Sequence, residues 1–170
     1  MNRAVFFDRD GVLNKLIFRQ GNYYSPREIN NFKLYNNTTK AIKTVKDKGY
    51  LSIIISNQPD IARGLLKKTE LNKMTKYLYN KLKVDDILYC MHDDPDVKGC
   101  RKPAAGLIIK AKNKWNISLQ HSFMIGDTEK DLGAAKNAGV KFLLINRNYN
   151  ENINVSDRIN KLTDITLYLD

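Results

Sequence analysis

Short apolar runs alternate with helix-like stretches along most of the chain. Buried strands are predicted at 4–7, 51–55, 86–90, 122–125 and 141–145. Apolar positions at helical spacing predict helices around 41–48, 70–82, 103–115 and 131–138, with Thr69 as the N-cap of the second and Pro103 in the first turn of the third. Strands that alternate with helices imply right-handed crossovers, so we predict an α/β, Rossmann-like fold of three layers with a central parallel sheet.

Two polar, Asn-rich segments do not follow this pattern. Residues 20–31 are predicted to be a connector, and residues 146–160 a loose excursion near the end of the chain. A chain of 170 residues suffices for one hydrophobic core. We therefore expect a single domain over residues 1–170.

Composition narrows the possible classes of protein. Hydrophobic residues make up 42% of the chain, yet no apolar run approaches the roughly 20 residues of a membrane span. Asp8 comes too early for a signal peptide, so a cytoplasmic protein without a membrane partner is expected. The net charge of +11 comes largely from scattered lysines without an arginine and aromatic cluster. A small phosphorylated metabolite is therefore a better partner than nucleic acid, and we expect a monomer.

Polar side chains follow several of the predicted strands. Asp8 and Asp10 come directly after the first strand, Ser56 ends the second, and Asp127 follows the fourth. Ligands of open parallel sheets bind beyond the carboxyl ends of the strands. These residues are therefore expected to converge on one site.

The chemistry of this set suits the hydrolysis of a phosphate monoester. Asp8 is a candidate nucleophile that would form an acyl phosphate, and Asp10 a candidate general acid and base. A hard cation, Mg²⁺, would be held by Asp8 and Asp127. Ser56 would hydrogen-bond the phosphoryl oxygens, and Lys102 would place a positive charge beside them.

Four motifs resemble those of the haloacid dehalogenase superfamily. They are FDRDGVLN (7–14), SNQ (56–58), RKP (101–103) and GDTEKD (126–131), and the resemblance spans residues 4 to about 145. Within the superfamily, the chain is most similar to the D-glycero-D-manno-heptose 1,7-bisphosphate phosphatases and the related histidinol-phosphatases. That similarity rests on DRDGVLN, SNQxxIARG and CRKP.

The resemblance implies a Mg²⁺-dependent phosphatase that acts on a sugar phosphate. It assigns nucleophile, acid/base, phosphate contact and charge stabilisation to Asp8, Asp10, Ser56 and Lys102. Mg²⁺ would be held by Asp8, the backbone carbonyl of Asp10 and Asp127, with Asp131 in support. Substrate would be recognised by Arg101, Asn57, Gln58 and Arg63. The short stretch between the first two motifs implies an almost capless enzyme.

A zinc loop of the similar phosphatases is incomplete in this chain. Cys90, His92 and Cys100 occupy three ligand positions, but Lys98 stands where another cysteine belongs. A structural zinc normally has four ligands. Two interpretations stay open: a weaker zinc site completed by Asp93, Asp94 or Asp96, or a loop that folds without metal. Close cysteines in a reducing compartment favour ligands or free thiols over a disulfide.

Three alternative functions remain. Histidinol phosphate is a second candidate substrate, because the similar phosphatases include histidinol-phosphatases. Pro59 and Asp60 depart from the residues usual in the heptose enzymes, so a different sugar phosphate also stays open. A polynucleotide 3′-phosphatase would exploit the positive charge. A non-catalytic binding module would retain only the fold.

Overall fold

The computed structural model describes residues 1–94 and 99–170. The strands are β1 (Arg3–Phe7), β2 (Ile17–Arg19), β3 (Asn22–Tyr24), β4 (Tyr50–Asn57), β5 (Asp86–Cys90), β6 (Phe123–Gly126), β7 (Lys141–Ile145) and β8 (Arg158–Ile159). The α-helices are α1 (Thr38–Asp47), α2 (Lys68–Leu82), α3 (Gly106–Trp115) and α4 (Glu129–Ala138). Short 3-10 helices cover Ile29–Asn31, Leu119–His121 and Leu162–Leu167. The five predicted strands and four predicted helices are confirmed, with bounds that differ by a few residues.

The main sheet has six parallel strands in the order β5-β4-β1-β6-β7-β8. Residues that alternate along β1 point to opposite faces of this sheet. Val5 and Phe7 join a core with α1, α2 and the last 3-10 helix, whereas Ala4 and Phe6 join a second core with α3 and α4. The predicted three-layer α/β architecture is therefore confirmed, and double coverage explains why the central strands are apolar on both faces.

Two helix starts differ from the prediction. Thr69 lies inside the first turn of α2, because the N-cap is Lys67. Pro103 precedes α3 instead of lying in its first turn. The Asn57 side chain accepts a hydrogen bond from the Lys102 amide and donates one to the Lys102 carbonyl, so the backbone before Pro103 is held outside the helix.

The predicted connector contains a β-hairpin that the sequence pattern did not reveal. Strands β2 and β3 pair antiparallel around Gln20 and Gly21. Both turn residues have positive φ, 50° and 78°, as two-residue hairpin turns of type I′ require. The prediction of a connector was therefore wrong for residues 20–24.

The prediction of a loose segment at 146–160 was also wrong at its end. Strand β8 pairs with β7 at the edge of the main sheet. Ile159 is 3% exposed and is followed by the buried Leu162 and Ile165 of the 3-10 helix, which packs on α1. Three apolar side chains thus anchor a stretch whose composition is otherwise polar.

Few elements lie between the end of β1 and the start of β4. They are the hairpin, one 3-10 turn and α1, so this region holds no inserted cap domain and the capless prediction is confirmed. Across residues 1–94 and 99–170, none of the helices has the length and apolar character needed to span a membrane.

Candidate active site

The carboxyl ends of β1, β4 and β6 form the floor of a cleft of about 370 Å³. β1 lies between β4 and β6, and the chain changes direction there, from β4 and β5 on one side to β6 and β7 on the other. Such a switch point opens a crevice because neighbouring loops run to opposite sides. Eight of the predicted site residues line the cleft: Asp8, Asp10, Ser56, Asn57, Arg101, Lys102, Asp127 and Asp131.

Lys102 lies at the centre of the carboxylates. Its Nζ donates hydrogen bonds of 2.6 Å to Asp8 Oδ1 and 2.6 Å to Asp131 Oδ1, and one of 3.3 Å to the Ile55 carbonyl. Burial favours the neutral amine, but Asp131 and Asp8 outweigh it and raise the pKa of Lys102 above its ordinary value. The side chain is therefore a fixed positive charge at neutral pH.

Asp8 is buried beside this charge, and its exposed fraction is 8%. Burial raises the pKa of Asp8 to about 7 even though Lys102 lowers it, and the nearby carboxylates of Asp131 and Asp10 add to the rise. Asp8 and Asp131 share the single positive charge of Lys102, so this charge does not neutralise both carboxylates.

The pKa of Asp10 is shifted in the opposite direction to that of Asp8. The Arg9 guanidinium pairs with it at 2.9 Å, Asn14 donates at 2.9 Å, and Gln58 donates at 2.8 Å. Burial raises the pKa of Asp10, but Arg9 and these hydrogen bonds outweigh burial and leave the pKa below its ordinary value. Arg9 is itself fully buried, so Asp10 is held ionised in a fixed position.

Asp127 has one engaged and one unengaged carboxylate oxygen. Oδ2 accepts a hydrogen bond of 2.6 Å from the Tyr149 hydroxyl, whereas Oδ1 is buried and has no hydrogen-bond partner among the described residues. Burial and the carboxylates of Asp131 and Asp8 raise the pKa of Asp127 well above 3.8. A buried acceptor without a donor is costly unless a cation or proton binds it.

These features fit a hard divalent cation. Asp8, Asp127 and Asp131 each offer an oxygen atom, and the three atoms lie within 4.8 Å of one another. Oxygen is the ligand that Mg²⁺ prefers in proteins. Asp131 is otherwise occupied, since its Oδ1 binds Lys102 and its Oδ2 accepts bonds from the backbone of Asp127 and from Thr128.

The second motif contributes two cleft residues from the end of β4 and one residue beneath the cleft. Ser56 and Asn57 line the cleft, and Asn57 also holds the backbone of Lys102. Gln58 lies below the cleft, where its amide donates to Asp10 and to Ser56 Oγ at 2.9 Å. Its position suits the orientation of Asp10 better than contact with a ligand.

The two arginines expected near substrate share one acidic partner. Arg101 lines the cleft and donates to Asp93 at 2.9 Å. Arg63 lies outside the cleft lining and binds both oxygens of Asp93, at 2.9 and 2.6 Å, as well as Asp60. Asp93 thus links Arg63 to the cleft only indirectly.

Of the two interpretations of the cysteine loop, the zinc site is not supported. Cys90 and Cys100 form a disulfide, so neither sulfur is available as a thiolate ligand beside His92. The expectation of ligands or free thiols was therefore wrong for this structure: the end of β5 brings the two Cα atoms to 5.6 Å, within disulfide reach. Lys98 and Asp96 lie outside the described residues. Within the described parts of the chain, the acidic cluster in the cleft is the group of metal-ligating side chains that comes together.

Several cleft residues were missed by sequence reasoning. They are Leu16, Tyr23, Ser25, Pro59, Thr128, Lys130 and Tyr149. Tyr23 comes from the unpredicted hairpin. Tyr149 follows β7 at the same edge of the sheet, so the strand-end rule applied to that strand would have indicated it. Burial and the adjacent Asp127 raise the pKa of Tyr149, so its phenol stays protonated and acts as the donor.

Comparisons with known proteins agree with this geometry. The model of the haloacid dehalogenase-like hydrolases matches residues 9–145. A D-glycero-beta-D-manno-heptose-1,7-bisphosphate 7-phosphatase of Haemophilus ducreyi is 36% identical over 152 residues, which cover 82% of this chain and 80% of that protein. A D-glycero-alpha-D-manno-heptose-1,7-bisphosphate 7-phosphatase of Photorhabdus laumondii is 35% identical over 150 residues, covering 81% and 79%.

A solved structure supports the same fold. The D,D-heptose 1,7-bisphosphate phosphatase from B. bronchiseptica, complexed with magnesium and phosphate, has a TM-score of 0.83 at 23% identity and covers 98% of this chain and 97% of its own. The fold, the family match and the relatives over most of their length lead to one assignment. The chain belongs to the haloacid dehalogenase-like hydrolase family.

Proposed function

We propose that this protein is a Mg²⁺-dependent phosphatase that hydrolyses a sugar phosphate through a phosphorylated Asp8. The observation that carries the proposal is the position of the Asp8 carboxylate. It lies on the cleft floor 2.6 Å from the Lys102 ammonium, and its oxygen is within 4.8 Å of oxygens from Asp127 and Asp131. A nucleophile, a fixed positive charge and oxygen ligands for a cation are what phosphoryl transfer needs in one place.

In the first half-reaction, an Asp8 oxygen attacks phosphorus while the bond from phosphorus to the sugar oxygen breaks. The product is an acyl phosphate on Asp8. The leaving sugar oxygen takes its proton from Asp10, which must first take up that proton from water because the ion pair with Arg9 holds it ionised in the free protein. In the second half-reaction, Asp10 takes a proton from water, the water oxygen attacks phosphorus, and Asp8 is regenerated with release of inorganic phosphate. The ion pair with Arg9 favours ionised Asp10 and so favours this base role.

The remaining residues would neutralise the negative charge of the phosphate and bind the cation. Lys102 and the Ser56 hydroxyl would bind the phosphoryl oxygens. Asp8, Asp127 and the Asp10 backbone carbonyl would hold Mg²⁺, with Asp131 in support through Lys102. When bound, the cation supplies positive charge that lets a phosphate dianion approach a carboxylate.

The relatives' names favour a heptose 1,7-bisphosphate as substrate, and they include both the beta and the alpha forms. Arg101 lines the cleft and directly precedes Lys102 in the chain, and it would contact a second phosphate or a sugar hydroxyl. Asn57 would support it by fixing the chain at Lys102. Arg63 would act on substrate only through Asp93.

The test is phosphate release from a panel of compounds with Mg²⁺, for wild type and Asp8→Asn. The panel holds both heptose 1,7-bisphosphates, histidinol phosphate, other sugar phosphates, nucleotides and nicked DNA with a 3′-phosphate. We expect a heptose bisphosphate to give the highest kcat/KM, and Asp8→Asn to lower kcat by at least about 10³-fold. Equal activity of the two proteins would refute the role of Asp8. Preferred hydrolysis of histidinol phosphate or of the DNA would refute the assignment of a heptose bisphosphate as the substrate. Inactivity of wild type toward the whole panel would favour a binding module.

A further inference from the structure

Residues 147–150, which follow β7 after Asn146, contact both sides of the site. Arg147 Nε donates to the Gly11 carbonyl at 2.8 Å, and Asn150 Nδ2 donates to the Asp127 carbonyl at 2.9 Å. Between them, the Tyr149 hydroxyl donates to Asp127 Oδ2 at 2.6 Å. This 147–150 segment therefore joins the loop after β1 to the loop after β6, and Tyr149 is its contact with a side chain that carries chemistry.

The hydrogen bond from Tyr149 gives the two carboxylate oxygens of Asp127 different environments. Oδ2 accepts the hydrogen bond of the phenol, and Oδ1 is buried with no hydrogen-bond partner within residues 1–94 and 99–170. Gly11 leaves space for this hydrogen bond, because a Cβ built there would lie 2.1 Å from Asp127 Oδ2 and 2.6 Å from the Tyr149 hydroxyl. Oδ1 is thus the oxygen that remains for a ligand.

Tyr149 is in turn held by the hairpin. Its ring packs against Tyr23 with ring centroids 4.7 Å apart, and both rings line the cleft. The Tyr23 hydroxyl accepts a hydrogen bond of 2.7 Å from Asn148, a neighbour of Tyr149 in the chain. Tyr23 and Tyr149 are therefore alike in ring and location. Among the contacts of the described residues, however, only the Tyr149 hydroxyl of these two binds the Asp127 carboxylate.

We propose that Tyr149 is a positioning residue for Asp127: its hydroxyl holds Oδ2 so that Oδ1 is presented to the divalent cation. The inference rests on the proposed function in that it assumes a cation at Asp127. Outer hydrogen-bond partners of metal-binding side chains fix the orientation of those side chains, and their removal typically lowers metal affinity by about 10- to 100-fold. The sequence reasoning had no role for Tyr149, since it lies in an Asn-rich stretch outside the four motifs.

The test compares Tyr149→Phe with the matched control Tyr23→Phe. Each variant loses one phenolic hydroxyl and keeps its ring, so the packing of the cleft wall is retained. Mn²⁺ alone is titrated into each metal-free protein and followed by electron paramagnetic resonance. We expect Tyr149→Phe to bind Mn²⁺ at least about 10-fold more weakly than wild type, and Tyr23→Phe to stay within about 2-fold.

A kinetic measurement distinguishes the loss of Asp127 positioning from a general disruption of the active site. For Tyr149→Phe, a raised Mg²⁺ concentration should restore most of kcat, while KM for the preferred sugar phosphate stays near the wild-type value. Wild-type Mn²⁺ affinity in Tyr149→Phe, or an equal loss in Tyr23→Phe, would overturn the proposal. Absence of Mn²⁺ binding in wild type would instead overturn the cation site itself, and with it both this inference and the Mg²⁺ part of the proposed function.

Discussion

Replacement of Lys102 by methionine removes the positive charge from the centre of the carboxylate cluster while keeping a long side chain. Lys102 is 4% exposed and donates at 2.6 Å to both Asp8 and Asp131. Removing one partner of a buried ion pair typically costs about 3–5 kcal/mol, because the remaining charge is left buried without a counter-ion. We expect a loss of this size in the unfolding free energy of the metal-free protein at pH 8.

The loss should shrink as the pH falls. Asp8 has a pKa of about 7 in the folded protein, above its unfolded value, and the loss of Lys102 would raise it further. A carboxyl group with a raised folded pKa favours the folded state below that pKa, and this contribution is lost as the pH rises through it. At pH 5 the carboxyl groups can take up protons and relieve the uncompensated charge, so the loss there should be less than half of that at pH 8.

Urea unfolding in EDTA at pH 5 and pH 8 measures both effects. Lys43→Met is the matched control: the Lys43 to Asp47 distance is 2.5 Å, as short as the pairs of Lys102, but the two side chains are 73% and 60% exposed. Water screens such a pair, so the control should unfold almost like wild type. A Lys102→Met loss below about 1 kcal/mol at pH 8, or an equal loss at both pH values, would refute the argument from burial.

Two further predictions concern the same cluster. Mg²⁺ must displace protons from Asp8 below its pKa of about 7, so Mg²⁺ affinity should rise as the pH rises through 7. Calorimetry in buffers of different ionisation enthalpy should show the release of protons, and affinity independent of pH would contradict this prediction. Gly11→Ala should lower stability by about 1–3 kcal/mol and abolish Mg²⁺ binding, because the new Cβ would lie 2.1 Å from Asp127 Oδ2. Gly21→Ala, at a similar φ of +78° with no atom within 4 Å, is its control for thermal unfolding; equal behaviour of the two variants would assign the whole effect to φ.

The convergence of the acidic residues could be predicted from sequence because strand ends determine it. Asp8 and Asp127 follow strands whose apolar residues are buried on both faces, and neighbouring parallel strands end at the same edge. Lys102 was found from its motif, although no strand of the main sheet ends there. Its position depends on the Asn57 side chain, a contact between residues 45 apart in the chain.

Other features depend on side-chain contacts that a pattern does not encode. Asn57 and Gln58 are adjacent amides, yet Asn57 faces the cleft and Gln58 lies below it on Asp10. Likewise, the close spacing of Cys90 and Cys100 favours metal ligands or free thiols over a disulfide, and the disulfide is evident only from their distance in space. Tyr149 was missed because a polar stretch carries no periodicity, even where it returns to the core.

The burial of the carboxylates destabilises the metal-free site and favours the cation that we propose there. Lys102 is one positive charge among Asp8, Asp127 and Asp131, so the metal-free protein reduces the remaining repulsion by taking up protons, as the raised pKa values of Asp8 and Asp127 indicate. A divalent cation removes the same repulsion without a proton, and it leaves Asp8 ionised as a nucleophile must be. Occupation of the site and activation of Asp8 are therefore expected to be a single event.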